Sequence, residues 1–178
     1  MNTPPARIHP LPNSKPHAQH NPIPVPYHWK QQVKAALDLD VEREIIAKAE
    51  IGSPVEHCAL MVIIPKENGE PRRTINYQRL NANCLRETHH TQSPFLIACQ
   101  IPPNQFKTVM DAVDGYHSVK LDEESQPLTT FITEWGRYTY LRMPQGFVAS
   151  GDAYTSRYDD IIKDVPRKVK IVDDTLLY

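Results

Sequence analysis

Three carboxylates in apolar surroundings are the residues of this chain best suited to chemistry. Asp111 lies within residues 107–113, which are predicted to form a strand although Asp is disfavoured in strands. Asp173 and Asp174 follow a second predicted strand, 168–172, and precede the apolar residues 175–178. This pattern predicts a tight hairpin with the acidic pair at its turn. Neighbouring strands would bring the three carboxylates together. Their repulsion is removed by divalent cations, and two such ions form a clamp for in-line phosphoryl displacement.

A second candidate feature is a cationic hairpin. Residues 58–64 form a short apolar run that predicts a buried strand, and Asn68 and Gly69 are typical of a tight turn. The return strand, 72–77, alternates polar and apolar residues. Lys66, Arg72 and Arg73 lie near the tip. Two interpretations stay open from the residues alone: charges that keep a hairpin solvated, or a mobile cationic flap that closes over phosphates.

The remaining patterns define the elements that would position these residues. Apolar residues recur every four positions over 28–49 and predict an amphipathic helix that ends before Gly52. Strands are predicted at 128–132 and 137–141. A helix capped by Ser150 or Asp152 is predicted to run to about residue 163. Residues 81–105 are predicted to be irregular.

Composition limits the possible classes of protein. The chain has 178 residues, is 40% hydrophobic and carries a net charge of -1, so a core is expected and a broadly basic nucleic-acid domain is excluded. No apolar run is long enough to span a membrane, and no targeting signal is seen. Eight of the 17 prolines fall in residues 1–26, which predicts an extended, solvated lead-in before a body that comprises residues 27–178.

Seven segments, taken together, resemble the reverse transcriptase domain of gypsy-type long-terminal-repeat retrotransposons, which retroviral polymerases also resemble. They are residues 53–55, 62–69, 72–81, 110–117, 135–138, 143–147 and 172–174. The resemblance extends over about 27–178. It implies an α+β fold, the fingers and palm of a right-hand polymerase, with an antiparallel palm sheet packed on helices and truncated before the thumb.

The resemblance also implies the ligands of the catalytic metal ions. Asp111, Asp173 and Asp174 match the catalytic aspartates that hold two Mg²⁺ ions, with Mn²⁺ as an alternative. The carbonyl of Ala112 matches a backbone ligand of one ion. Ile171 stands where the family usually has an aromatic residue, and this departure removes no metal ligand.

Further matched positions imply a nucleotide site. Lys66 and Arg72 match finger residues that contact the incoming triphosphate, and the backbone amides near Asp114 and Gly115 match the pocket for its phosphates. Tyr116 matches the residue that excludes a 2′-hydroxyl and so favours deoxynucleotides. Gln145 matches a residue that lines the nucleotide and template pocket.

The implied function is RNA-directed DNA polymerase activity, the two-metal transfer of deoxynucleotides from their triphosphates onto a primer 3′-hydroxyl on an RNA or DNA template. The chain stops four residues after Asp174, so the thumb and ribonuclease H regions are expected on a longer polyprotein and the fragment is expected to be inactive or weakly active alone. The expected location is intracellular, in the cytoplasm or a virus-like particle. Two alternatives are a catalytically inactive remnant that binds nucleic acid or a partner, and a two-metal nuclease, which would leave Tyr116 and residues 143–147 unexplained.

Overall fold

The structure is a computed structural model that describes residues 1–90, 93–171 and 174–178, apart from the side chain of Pro94. Within them, the strands are β1 (His17–Ala18), β2 (Ile46–Lys48), β3 (His57–Pro65), β4 (Pro71–Ile75), β5 (Thr108–Asp111), β6 (Phe131–Thr133), β7 (Gly136–Tyr140), β8 (Lys168–Ile171) and β9 (Asp174–Leu177). The helices are α1 (Lys30–Glu42), α2 (Gln78–Asn81), α3 (Pro94–Gln100) and α4 (Ser150–Ile162), with short 3-10 turns at Tyr27–Trp29, Gly115–Ser118 and Gln126–Thr129.

The larger sheet contains the predicted cationic hairpin. Its strand order is β1-β3-β6-β7-β2, and β4 pairs with β3 in antiparallel fashion. β3 is the apolar run that the sequence predicts to be a buried strand. On this sheet Phe131 and Tyr138 are buried with their rings stacked at 5.8 Å, and Leu37 of α1 belongs to the same core.

The smaller sheet carries the acidic residues. Its order is β5-β9-β8, and both pairings are antiparallel. The buried Thr175 of β9 donates a hydrogen bond from its hydroxyl to the Tyr158 hydroxyl of α4 at 3.2 Å, so α4 packs against one face of this sheet. The predicted α+β class, with an antiparallel sheet on helices, is confirmed.

The first helix is shorter than the sequence predicts. α1 ends at Glu42, and Glu44 adopts the left-handed conformation with φ 53°. The amides of Glu44 and Ile45 donate to the carbonyls of Val41 and Asp40, which is the Schellman arrangement of a helix end. The prediction of a helix to residue 49 is therefore wrong. The four-residue repeat continues past the break because Ile45 is buried in the turn that leads from α1 into β2.

Other boundaries also differ. Ser150 and Asp152 make no capping hydrogen bond, and α4 begins after Ala149. The strand predicted to start at Leu128 starts at Phe131, since the preceding residues form a 3-10 turn. Residues 81–105, predicted to be irregular, contain α3 and the end of α2.

The extended lead-in, predicted to be solvated, is buried at three of its residues. Residues 1–26, which we call the strap, follow the surface of the body and bury Ala6, Ile8 and Val25 in the common core. The Ala6 amide donates to the Lys120 carbonyl at 2.7 Å, and β1 pairs in parallel with β3. Prolines that lack amide donors let the strap run extended, while its few apolar side chains anchor it. In the part of the chain that the structure describes, no helix has the length and apolarity needed to cross a membrane.

Candidate active site

Asp111 and Asp174 face each other directly across the smaller sheet. Asp111 is the last residue of β5, Asp174 is the first residue of β9, and the two are register partners. Ile171 of β8 is the partner of Asp174 on its other side. Because side chains alternate along a strand, these three residues share the face that is turned away from the buried Thr175. All three are exposed.

Two like charges placed directly opposite each other on neighbouring strands repel. The side chains at such a pair are about 4.5–5.5 Å apart at Cβ, which lets one cation contact both carboxylates. The sequence prediction that neighbouring strands bring carboxylates together is confirmed for Asp111 and Asp174. Val172 and Asp173 lie outside the described residues. No third His, Cys, Asp or Glu joins the pair within residues 1–90, 93–171 and 174–178.

The segment after β5 turns sharply towards α4. Ala112 is half-buried, and Asp114 adopts φ 52°, a left-handed conformation that Asp tolerates better than most residues. The 3-10 turn that begins at Gly115 packs on the Tyr154 ring, since a Cβ on Gly115 would lie 3.0 Å from Tyr154 Cζ. Glycine is therefore required there by close approach.

Tyr116 sits at the start of this turn and is half-buried. Its ring meets the Tyr154 ring edge to face, with centroids 5.9 Å apart. A Cβ built on Gly151 of α4 would be 4.0 Å from the Tyr116 hydroxyl, so α4 limits where this hydroxyl can lie. The structure thus places Tyr116 five residues beyond Asp111, between β5 and α4.

Gln145 is exposed in the turn that leads into α4. Asn81 holds this turn from both sides: its Nδ2 donates to the Gly146 carbonyl at 2.9 Å, and its Oδ1 accepts from the Val148 amide at 3.0 Å. Gly146 adopts φ 88°. This role of Asn81 was not predicted, although its place at the end of the matched segment 72–81 was the available signal.

The cationic hairpin presents its two arginines to opposite faces. Arg73 forms an ion pair with Asp40 of α1 at 2.6 Å. Arg72 is exposed, and among the described residues no carboxylate lies within ion-pair distance of it. Arg72, Lys66 and Ile64 line an open cleft of about 790 Å³ on the outer face of the hairpin. Strand alternation therefore neutralises one arginine and leaves its neighbour available for an anion.

Lys66 is less free than Arg72. Its Nζ lies 3.6 Å from a carboxylate oxygen of Glu70, and both side chains are half-exposed. A contact of this length between exposed groups is weak. The hairpin belongs to the larger sheet, whereas Asp111 and Asp174 belong to the smaller one.

One carboxylate next to the site has a shifted pKa. Burial raises the pKa of Asp152, but hydrogen bonds from the Arg86 side chain at 2.8 Å and the His89 amide at 3.1 Å outweigh burial. The net result is a pKa below the usual value. Asp152 therefore ties the first turn of α4 to residues 86–89 as an anion.

Comparison with known proteins decides the family. The family described as reverse transcriptase (RNA-dependent DNA polymerase) matches residues 64–178 of the chain. The chain belongs to the reverse transcriptase family. The resemblance predicted from the seven segments is confirmed, and members of this family depend on divalent metal ions.

Relatives of this reverse transcriptase domain include Drosophila melanogaster retrotransposons. The Pol polyprotein from transposon opus is 26% identical over 87% of the chain and 16% of its own length. The one from transposon gypsy is 25% identical over 62% of the chain and 11% of its own length. These relatives confirm the gypsy-type affiliation. The chain spans only 10–22% of the length of the curated polyproteins it matches.

A solved structure confirms the fold. The foamy viral protease-reverse transcriptase in complex with RNA/DNA hybrid aligns with a TM-score of 0.83 at 20% identity, over 99% of this chain and 23% of that one. The alignment includes the strap. The predicted fingers and palm architecture is therefore confirmed, while the roles of individual site residues remain predictions.

Proposed function

We propose that this chain forms the fingers and part of the palm of an RNA-directed DNA polymerase that transfers deoxynucleotides onto a primer 3′-hydroxyl. The observation that carries the proposal is the pair Asp111 and Asp174, directly opposed on the exposed face of the smaller sheet in a member of the reverse transcriptase family. The other site residues are proposed on the positions that match the family.

Asp111, Asp173 and Asp174 would hold two Mg²⁺ ions, with the Ala112 carbonyl as a further ligand and Mn²⁺ as an alternative ion. The donor set fits, because Mg²⁺ takes one or two carboxylates and fills its other positions with water and substrate phosphates. When bound, such ions activate the attacking hydroxyl and stabilise the leaving pyrophosphate. The opposed carboxylates gain from this, since a cation removes their repulsion.

Lys66 and Arg72 would hold the triphosphate. Arg72 is the better placed of the two, because Arg73 is already neutralised by Asp40 whereas Arg72 projects over the open cleft. A guanidinium binds phosphate oxygens in bidentate fashion and screens the charge that spreads over them during transfer.

The Asp114 and Gly115 amides would receive the same phosphates, and Tyr116 would meet the sugar. In this role the Tyr116 ring would admit a deoxyribose and clash with a 2′-hydroxyl. Gln145, exposed on the turn clamped by Asn81, would line the pocket for nucleotide and template.

The partners proposed are a primer on an RNA or DNA template, and deoxynucleoside triphosphates. The similar foamy viral protein was solved with RNA/DNA hybrid, which supports this choice. Thumb and ribonuclease H regions would be supplied by a longer polyprotein, and the setting would be the cytoplasm or a virus-like particle. Affinity should rest on the phosphate backbone and fall with salt.

The test is deoxynucleotide-dependent capture of a primer–template. A fluorescent RNA template with a chain-terminated DNA primer is titrated with the 178-residue chain in Mg²⁺, with the complementary or a non-complementary deoxynucleotide. We expect the complementary nucleotide to tighten binding. Arg72→Ala should abolish this gain, whereas Arg43→Ala, a change at another exposed arginine, should retain it.

Two results would count against the proposal. The first is binding that is salt-sensitive but indifferent to the nucleotide and unchanged by Asp173→Asn, as expected of a remnant that binds nucleic acid. The second is cleavage of the template strand, as expected of a nuclease. With an extendable primer, the isolated chain should add few nucleotides and no long products.

A further inference from the structure

We propose that Lys170 is a positioning residue that couples the hairpin β8–β9 to Tyr116 through two tyrosines of α4. The inference rests on the proposed function in one respect: it takes Asp174 as a metal ligand and Tyr116 as the residue that meets the sugar. The geometric coupling itself rests only on the contacts described below. Lys170, Tyr154, Tyr158 and Asp159 are called the lysine cluster.

Lys170 is a lysine held almost out of water. Its side chain is 7% exposed, and Nζ donates to Asp159 Oδ1 at 3.0 Å and to the Thr155 carbonyl at 3.2 Å. Nζ also lies 5.5 Å and 5.1 Å from the ring centroids of Tyr154 and Tyr158. A buried ammonium is tolerated only when it is paired in this way, so the cluster holds Lys170 in one position.

The strand pairing transmits that position to the acidic face. Lys170 is the register partner of Thr175, and both point towards α4. Thr175 is itself bonded to the Tyr158 hydroxyl. Asp174 immediately precedes Thr175, so its side chain lies on the opposite face, where Asp174 is the register partner of Asp111. Contacts between α4 and one face of the hairpin therefore determine the position and orientation of the opposite face, which carries the carboxylates.

The same tyrosines reach the nucleotide side of the site. Tyr154 and Tyr158 are stacked with centroids 5.4 Å apart and an interplanar angle of 11°. Tyr154 is 1% exposed, and its ring supports both Gly115 and Tyr116. A displacement of Tyr154 must therefore move the turn at Gly115, because no gap separates the ring from that backbone.

Asp159 anchors the cluster from outside. Its second oxygen lies 2.9 Å from His89 Nε2, so one carboxylate joins Lys170 to the segment before α3. The chain of contacts runs from Lys170 through Tyr158 and Tyr154 to Tyr116. A packed and hydrogen-bonded path of this kind is able to carry coupling between two parts of a site.

Fluorine NMR of protein labelled with 3-fluorotyrosine tests the coupling without any ligand. The Tyr116 resonance is assigned with Tyr116→Phe. We expect Lys170→Met to shift or broaden this resonance, and Lys170→Arg to return it close to the wild-type position. Lys168→Met is the matched control, since Lys168 lies on the same strand and, among the residues that the structure describes, donates only to the Lys163 and Val165 carbonyls. The resonance of Tyr138, in the core of the larger sheet, should stay in place in every variant and reports intact folding.

An unmoved Tyr116 resonance in folded Lys170→Met would overturn the proposal. Should Lys170→Met fail to fold, Asp159→Asn weakens the same anchor more gently and should shift Tyr116 in the same direction. An unmoved resonance in that folded variant would equally overturn it.

Metal binding provides the second readout. Mn²⁺ titrations followed by electron paramagnetic resonance should show roughly a tenfold loss of affinity in Lys170→Met. This is the smaller end of the loss that is typical when a residue that supports a metal ligand is replaced. Lys168→Met should bind Mn²⁺ as the wild type does, and a role confined to stability would leave the affinity of both folded variants unchanged. If the wild-type chain binds no Mn²⁺, the proposed function fails, while the Tyr116 resonance still decides the coupling.

Discussion

At the scale of single residues, the most informative placement is that of Asp111 opposite Asp174. A strand pair is normally stabilised by complementary neighbours, and two carboxylates are the opposite of that. The arrangement makes physical sense for a site whose ligand is a cation. Strand alternation also separates the two adjacent arginines of β4. Arg73 forms an ion pair with Asp40 on the inner face, and Arg72 is exposed on the outer face.

A charge-neutral substitution of Asp174 should separate these effects. In EDTA, Asp174→Asn should raise the free energy of unfolding by about 0.2–1 kcal/mol, because it removes the repulsion between directly opposed charges. In millimolar MnCl₂ it should lose most of the stabilisation that the metal gives the wild type. Urea unfolding in both solutions measures this. Asp160→Asn, at an exposed position of α4, should keep the full metal effect. Equal metal stabilisation of both variants would contradict the assignment of Asp174.

At the scale of elements, the end of α1 decides how the larger sheet is completed. Glu44 occupies the left-handed position at which helices most often have glycine. The hydrogen bonds that the Glu44 and Ile45 amides donate back to α1 turn the chain into β2. β2 then pairs with β7. A side chain at this position carries a conformational cost that glycine does not.

Glu44→Gly should therefore stabilise the protein by about 1 kcal/mol. Ala35→Gly, at an exposed position inside the same helix, should destabilise it by a similar amount, about 1 kcal/mol. Urea unfolding of the two variants gives the sign directly. Destabilisation by both glycines would mean that Glu44 contributes contacts that outweigh its backbone strain.

The first turn of α4 should make stability depend on pH. The pKa of Asp152 is lower in the folded protein than in the unfolded chain, so its ionised form stabilises the fold above about pH 4, the ordinary value. That contribution is lost as the pH falls through the folded pKa. Asp152→Asn should flatten the fall in unfolding free energy below about pH 5, and Asp160→Asn should not. Parallel curves for Asp152→Asn and the wild type would contradict the ion pair with Arg86.

At the scale of the whole molecule, the strap joins parts of the chain that are far apart in sequence. Its amides bond to Lys120 and to Asn83, β1 extends the larger sheet, and Val25 donates to Glu134. The division at residue 26 stays a prediction, but the packing gives residues 1–26 a share of the core of the body.

Two isoleucines of the strap provide a matched test. Ile8 is 3% exposed, and Ile8→Ala should lower the free energy of unfolding by about 2–5 kcal/mol, because it removes buried methyl groups and leaves a cavity. Ile23 is 41% exposed, and Ile23→Ala should change it by about 0.5 kcal/mol or less. Urea unfolding and limited proteolysis of the strap measure both. Equal effects would mean that the strap is not part of the cooperative core.

The hairpins were predictable because their signals are local. Alternation, a turn at Asn68 and Gly69, and an apolar strand before the acidic pair all act between near neighbours, and β3, β4, β5, β8 and β9 agree with them to within two residues. The end of α1 was not predictable in this way. Its repeat of apolar residues is satisfied equally by a longer helix and by a helix followed by a buried strand, and only the pairing with β7 distinguishes the two.

The sequence by itself indicated the family, the order of the strands along the chain and the residues that we propose to bind metal and nucleotide. These features depend on residue types and on their spacing along the chain, which can be read without knowing any tertiary contact. Only the tertiary structure decided that Asp111 faces Asp174, that Arg73 is neutralised while Arg72 is not, and that Lys170 lies against two stacked tyrosines. The physical reason is that each of these facts concerns residues between 12 and 63 positions apart, whose meeting is set by strand register and helix packing rather than by any local pattern.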